Sequence, residues 1–387
     1  MKRMIIGFFL FAALSGCAKE QHFNISNIGK KIQNSTVLAG NLIEKGTSNW
    51  YNKRFSPPLM INKSYSIGRL SKQNITVYGN NLYIGDEDGW LYKIAAQNGK
   101  IIKLLKVDHG IGFSGCISEG TLYFSDIDRN IYSYNIDKGS LTKHQTGAPV
   151  YSAPTCSKGK AYFLDSNQTL YAVDKSTILW NNHFLNARIE MKGEASPVIN
   201  GRNLIVATDD GFLYKIRNGN VIQSVEANPA VEDPDTAKDI DSRPAVDILG
   251  NIYITTVNGI VASFDKNFHF LWKKVSVPAA ADLILSPNEL IVSDLDGNIS
   301  SYDTDTGNLL WKVNISKKPL IGSAVMLDKT IYQPTLNGYL YAISENGRIL
   351  WREMIDGSGF ASKPVFYDGF LYLSARSGRI YRMKSTK

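Results

Sequence analysis

The sequence is short of the residues that build stapled or metal-bound domains. Among 387 residues there are three cysteines and five histidines. Three cysteines are too few for a disulfide framework. His22, His109, His144, His183 and His269 form no close-spaced pair of the kind that holds a metal. No Gly-x-Ser-x-Gly elbow or phosphate-cradling glycine loop occurs. Runs of Ala, Leu, Glu and Lys that would suggest long helices are missing. So are blocks of five or six like charges. The net charge of +8 is scattered, whereas nucleic-acid binding needs a concentrated basic patch. What remains is abundant apolar and aromatic residue (43% and 11%), with 32 Gly and 20 Tyr. That composition is enough for a packed core and leans toward an all-β protein.

The N-terminus reads as an export leader. Lys2 and Arg3 precede an apolar run from Met4 to Leu14, followed by Ser15-Gly16-Cys17. A basic start, a short apolar stretch and small residues describe a secretory signal over residues 1–16. The run is about half the length a membrane-spanning helix needs. Leu14-Ser15-Gly16-Cys17 resembles the bacterial lipobox, in which the Cys is acylated and becomes the first residue. The alternative is an ordinary signal peptide with an incidental Cys. Several acyl chains on Cys17 would anchor the protein stably. Ala18, rather than Asp, follows it, which by resemblance to lipoprotein sorting favours the outer membrane, facing the periplasm. Residues 17–47, rich in Asn, Lys, Ser and Gly, read as the lipidated Cys and a flexible tether.

From residue 48 to 387 one unit recurs eight times: an apolar-Tyr-apolar strand, a tight turn, and a second Tyr-containing strand. The residues just before the first of these strands are 80, 120, 159, 202, 250, 288, 329 and 369, giving spacings of 40, 39, 43, 48, 38, 41 and 40. A period near 40 with several strands per unit is the signature of a β-propeller blade. Asp88-Gly89, Asp210-Gly211, Asn258-Gly259, Asp296-Gly297 and Asn337-Gly338 are expected to close two-residue hairpins. A strand precedes each unit, as in Arg243-Pro244-Ala245-Val246. A fourth is expected to end in Leu-Trp at Leu179-Trp180, Leu271-Trp272, Leu310-Trp311 and Leu350-Trp351. The prediction is an eight-bladed β-propeller of four-stranded antiparallel blades. The last unit stops after its third strand, so the strand-like run Leu59 to Ile67 is expected to supply the missing one and close the ring. The repeated aromatic residues read as packing between blades.

Asp86-Glu87-Asp88-Gly89 and Asp294-Leu295-Asp296-Gly297 superficially suggest calcium loops. They lack further ligands and a closing Glu, and each falls in a hairpin turn. Cys116 and Cys156 fall in the first strands of consecutive blades and read as small buried residues. Equivalent positions in neighbouring blades are expected to exceed bridging distance. No metal and no cofactor is expected.

The repeats resemble those of pyrroloquinoline-quinone dehydrogenases, although the vicinal Cys pair found in the best-known group is not present. Three connections resemble a narrower family, the BamB lipoproteins of the outer-membrane β-barrel assembly (BAM) machinery. They are Met191-Lys192-Gly193-Glu194-Ala195-Ser196-Pro197, Lys238-Asp239-Ile240-Asp241-Ser242-Arg243-Pro244, and Asp356-Gly357-Ser358-Gly359-Phe360 with Lys363-Pro364. The resemblance implies a non-catalytic scaffold that binds the periplasmic domains of BamA and assists unfolded outer-membrane proteins. Carried over by position, the contact residues are Ile189, Met191, Lys192, Asp239 and Asp241. Lys192 stands where the family has Arg, and Ile189 and Met191 where it has Leu, so a bidentate Arg contact is replaced by a point charge. Both motifs precede the first strands of blades four and five, hence share one rim. The 48-residue spacing adds the acidic insertion Glu232, Asp233 and Asp235 there. An apolar pair beside charged residues suits a binding hot spot with a polar edge. Equally, Ile189 and Met191 could pack under the loop while the aspartates cap turns. Two further readings stay open: a quinone-dependent enzyme, and a propeller serving another envelope partner.

Overall fold

The computed structural model describes residues 55–113, 115–185, 195–228 and 237–386. Every regular element among them is a strand, arranged as eight four-stranded antiparallel sheets. Blades one to seven each run outward in chain order. Blade six is typical: Ile284–Leu285 innermost, then Glu289–Ser293, Asn298–Asp303 and Leu309–Asn314. The second and third strands are buried on nearly every residue, since both faces are covered by neighbouring blades. The outermost strands alternate exposed and half-buried positions, as in Leu309–Asn314. The hydrophobic clusters accordingly straddle successive blades, as where Val206 and Ile216 of blade four join Leu164 and Leu170 of blade three.

The ring closes as expected. Leu59–Ser66 pairs antiparallel with Arg379–Ser385, so the last blade reads Val365–Tyr367, Phe370–Ser374, Arg379–Ser385, Leu59–Ser66. Leu59 and Tyr65 point inward and are buried. Arg382 ties three segments together. Its guanidinium donates to Asn62 Oδ1 of the closing strand and to the carbonyl of Ala96 in blade one, and stacks 4.0 Å over the Phe370 ring.

Three details differ from the sequence reading. The Asp-Gly and Asn-Gly turns are four-residue loops, not two-residue hairpins. Residues 86–89 form one of them, with Gly89 N–H donating to Asp86 O at 3.2 Å. Only the glycine takes positive φ (+85° at Gly89), whereas a two-residue type I′ turn needs it at both central positions. The first loop residue acts as a cap: Asp86 Oδ1 accepts from Trp90 N–H at 2.8 Å, and Asp294 Oδ1 from Asn298 N–H at 2.8 Å. Where Asp is missing Thr does the same, as Thr335 Oγ1 does for Tyr339 N–H at 3.0 Å. Those aspartates are therefore occupied in turn capping.

The Leu-Trp pairs open the outer strands rather than end them, because the preceding turn lies directly before them. Three of the four Trp reach the outer turn of the following blade, Trp180 of blade three lying against Gly219 of blade four. Trp272 of blade five lies under Gly307 of blade six and donates Nε1–H to Thr304 O at 2.8 Å. Trp311 lies under Gly347 of blade seven and donates to Glu345 O at 2.8 Å. At the closure Tyr65 takes this place against Gly99 of blade one. A Cβ on Gly307 would stand 2.4 Å from the Trp272 ring, in a backbone at φ +69°. Gly307→Ala is therefore expected to cost about 2 kcal/mol through clash and strain, read as a lowered urea midpoint. A midpoint equal to wild type would show that this contact is slack.

Cys116 and Cys156 form a disulfide, contrary to the expectation that they are separate thiols. Their Cα atoms are 5.7 Å apart. First strands are the innermost ones, where eight blades converge on the axis, and neighbours approach most closely there. Hydrogen bonds link the flanking blades at the same level: Thr76 Oγ1 to Gly115 O at 2.7 Å, and Thr155 Oγ1 to Pro197 O at 2.5 Å.

Candidate functional site

Antiparallel order places two kinds of segment on one face of the ring: the second turn of each blade, and the connection into the next blade. The stretch from Lys238 to Pro244 is such a connection, entering blade five at Ala245–Val246. Of the expected contact residues, Ile189, Met191 and Lys192 lie outside the described residues, as do Cys17 and the acidic insertion Glu232, Asp233 and Asp235. Asp239 and Asp241 are described, and they differ. Asp239 is fully buried, with Val257 N–H donating to its backbone carbonyl at 3.1 Å. Asp241 is only partly covered.

The structure adds a residue that the repeat pattern hid. Asp209, at the capped turn of blade four, brings its carboxylate to within 4.8 Å of those of Asp239 and Asp241. Gln168 of blade three donates Nε2–H to Asp209 Oδ2 at 2.7 Å. Three carboxylates so close cannot all ionise without cost. Burial, and then the Asp239 charge, push the Asp241 carboxyl up to about 7, while Lys72 draws it partly back. Lys72 precedes blade one, so this interaction spans the mouth of the ring.

A second set of charges lies at the equivalent position two residues before each innermost strand. Blade five carries Arg243, blade six Asp282 and blade eight Lys363. Lys363 Nζ is 3.5 Å from Asp282 Oδ2, an ion pair between non-adjacent blades. Burial lowers the Arg243 pKa, and Asp282 opposes that shift. Asp282 N–H donates to Ser323 Oγ at 3.0 Å. The mouth on the connection face is therefore a charged, interlinked surface whose acidic side lies under blades four and five.

This cluster has a pH signature. A carboxyl raised from 3.8 to about 7 in the folded chain binds its proton more tightly there than in the unfolded chain. Its contribution is therefore fully present below pH 4 and is lost as pH rises through 7. Asp241→Asn is expected to flatten that decline and to stabilise the protein at pH 8 by on the order of 2 kcal/mol. Urea unfolding at pH 4.5 and pH 8 reads the difference. Parallel pH profiles for the two proteins would contradict a shared proton.

Comparison with known proteins agrees with this architecture. A family model described as outer membrane protein assembly factor BamB matches residues 87–294 and 295–387. The BamB of Yersinia pestis is 25% identical over 323 residues, covering 78% of this chain and 82% of that one. The BamB of Salmonella typhimurium is 23% identical, covering 77% and 74%. Among solved structures, BamB from Moraxella catarrhalis superposes with a TM-score of 0.72 at 15% identity, over 84% of this chain and all of that one. A quinohemoprotein alcohol dehydrogenase from Pseudomonas putida reaches 0.67 at 12%, over 84% and 76%. That likeness is one of fold. Propellers with and without chemistry share it, so function has to be argued from sites. With the family model matching most of its blades, the chain belongs to the BamB family of outer membrane protein assembly factors.

Proposed function

We propose that the protein is a non-catalytic scaffold of the BAM complex, held at the outer membrane by acylated Cys17 and facing the periplasm. In this reading residues 1–16 are removed, residues 17–47 tether the ring, and the connection face between blades four and five binds the periplasmic domains of BamA. The observation that carries the reading is the family-model match, which runs from blade one to the end of blade eight. The relatives are outer membrane protein assembly factors, and the same role is assigned here.

Ile189, Met191 and Lys192 would provide the apolar and cationic half of the contact, and Asp241 the acidic half. Asp239, having no exposed surface, would act by positioning the Asp241 segment. A rigid ring suits such a task, since a preorganised surface loses little entropy on binding. Unfolded outer-membrane proteins would be the clients. The outer strands are open edges bearing exposed pairs such as Leu309–Leu310 and Ile349–Leu350, and an extended segment can add to such an edge.

Charge reversal tests the BamA face. Asp241→Lys and Lys192→Glu are each expected to reduce recovery of BamA in pull-downs from detergent-solubilised envelopes by about tenfold, the loss expected for a hot-spot contact. Wild-type recovery from both would remove the assignment. Cys17→Ala is expected to make the protein extractable from the membrane fraction by high salt, whereas the wild type stays bound; salt-resistant retention of the variant would count against the anchor.

A further inference from the structure

The first turn of every blade lies on the face opposite the interblade connections. In seven blades its central residues are polar, proline or glycine, for example Glu119-Gly120, Lys158-Gly159, Gly201-Arg202 and Asp368-Gly369. In blade five they are Ile248 and Leu249, which are 67% and 73% exposed. The backbone of this turn is held without them. Asp247 Oδ1 accepts from Leu249 N–H and Asn251 N–H at 2.8 Å each, and Gly250 supplies positive φ (+86°). Ile248 and Leu249 therefore form a rigid apolar knob that buries little within its own fold.

One lysine lies beside the knob, and two arginines are exposed on the same face. A Cβ on Gly250 would lie 3.2 Å from Lys266 Cβ and 3.7 Å from the Asn200 side chain. Beside Asn200, the turns of blade four present Arg202 and Arg217, both exposed. Two acids share the area, with their carboxylates turned onto their own turns. Asp247 caps its own turn, and Asp265 accepts from Asn267 N–H at 2.7 Å and His269 N–H at 2.9 Å.

We propose that Ile248 and Leu249, with Lys266, Arg202 and Arg217, form a docking point for an anionic phospholipid surface. Charge complementarity chooses this occupant: Lys266 beside the apolar pair, with Arg202 and Arg217 exposed on the same face, would meet headgroup phosphates. Size supports it as well. A stable protein interface takes roughly 800 Å² per partner, more than a two-residue knob offers. A lipid interface moulds itself around a convex apolar tip, and each cation near it strengthens binding by about fivefold. The contact lies on the face opposite the proposed BamA site, so the two can be occupied together and either can fail alone.

The test uses the full mature chain carrying Cys17→Ser, so that an acyl anchor plays no part. It is sedimented with vesicles of phosphatidylglycerol and phosphatidylethanolamine, and with vesicles of phosphatidylcholine. The expected result is salt-sensitive binding to the anionic vesicles only. The double variant Ile248→Ser with Leu249→Ser is expected to reduce it about tenfold, and Lys266→Glu with Arg202→Glu by at least as much. A second readout places the knob directly: Leu249→Trp is expected to gain a blue-shifted emission component with anionic vesicles. Equal binding to both vesicle types, undiminished binding by the serine variant, or no shift from Leu249→Trp would overturn the proposal. So would a serine variant that binds vesicles normally but no longer pulls down BAM proteins, because the knob would then dock a protein.

Discussion

A chain that begins at Ile67 is expected to lose the closed ring and to unfold at a much lower urea concentration than the intact protein. The missing segment contributes three buried side chains, Phe55, Leu59 and Tyr65, to the clusters around blade eight. It also contributes Asn62, the acceptor for Arg382. At about 2 kcal/mol per large buried side chain, the loss is on the order of 6 kcal/mol before the hydrogen bonds are considered. That is comparable with the whole stability of a typical domain. The truncation would also leave Arg379–Ser385 as an unpaired edge with Tyr381 and Met383 uncovered, a strand open to pairing with another chain. Tyr65→Ala isolates one part of the effect. It removes the ring that rests on Gly99 of blade one and should cost about 3 kcal/mol. Light scattering and urea titration read both variants. A truncated chain that stays monodisperse and unfolds at the wild-type midpoint would mean that seven complete blades suffice.

The disulfide carries the second large effect. Cys116 and Cys156 are separated by 40 residues, and cross-linking a loop of that length restricts the unfolded chain by about 4 kcal/mol. Cys116→Ala with Cys156→Ala, or reduction of the wild type, is expected to lower stability by that amount. For a ring of this size that is about 6 °C in Tm. Protein expressed from residue 18 onward in a reducing cytosol should show the same deficit and recover it on oxidation, because such bonds persist only in oxidising compartments. Under denaturing, non-reducing conditions neither cysteine should react with a thiol reagent. An unchanged Tm after verified reduction would show that the noncovalent links at the axis already hold blades two and three together.

Much of the architecture was legible in the residues. Turn glycines recur near every fortieth position, and a strand framed by Gly and Tyr cannot easily be read as helix. The missing outer strand of the last blade and the unassigned run at Leu59 predicted each other, since an open edge must be covered. The repeated Trp positions read as packing between blades, and Trp272 and Trp311 lie against the next blade's turn glycines. The turn chemistry was read too simply. Asp-Gly suggests a two-residue hairpin until the preceding Asp or Thr is recognised as a side-chain cap, a role visible as Asp86, Asp126, Asp165 and Asp294 at one offset in four blades.

The site was less legible. Asp209 looked like one more turn residue in Thr208-Asp209-Asp210-Gly211, and its approach to Asp239 and Asp241 joins two blades. Within blade five, Asp239 and Asp241 are two residues apart and look equivalent in sequence. One is fully buried and the other reaches the mouth of the ring. The disulfide was misread for a related reason: blade-to-blade distance depends on radius, and a repeat period carries no radius.

Local periodicity and turn chemistry, then, determined the fold, the number of blades and the manner of closure, because each depends on residues near one another along the chain. Tertiary structure alone decided which side chains from separate blades meet at the axis, which carboxylate is desolvated and which apolar pair is left in water. Those are properties of convergence and burial in three dimensions, and pairing residues some 40 positions apart requires the ring itself.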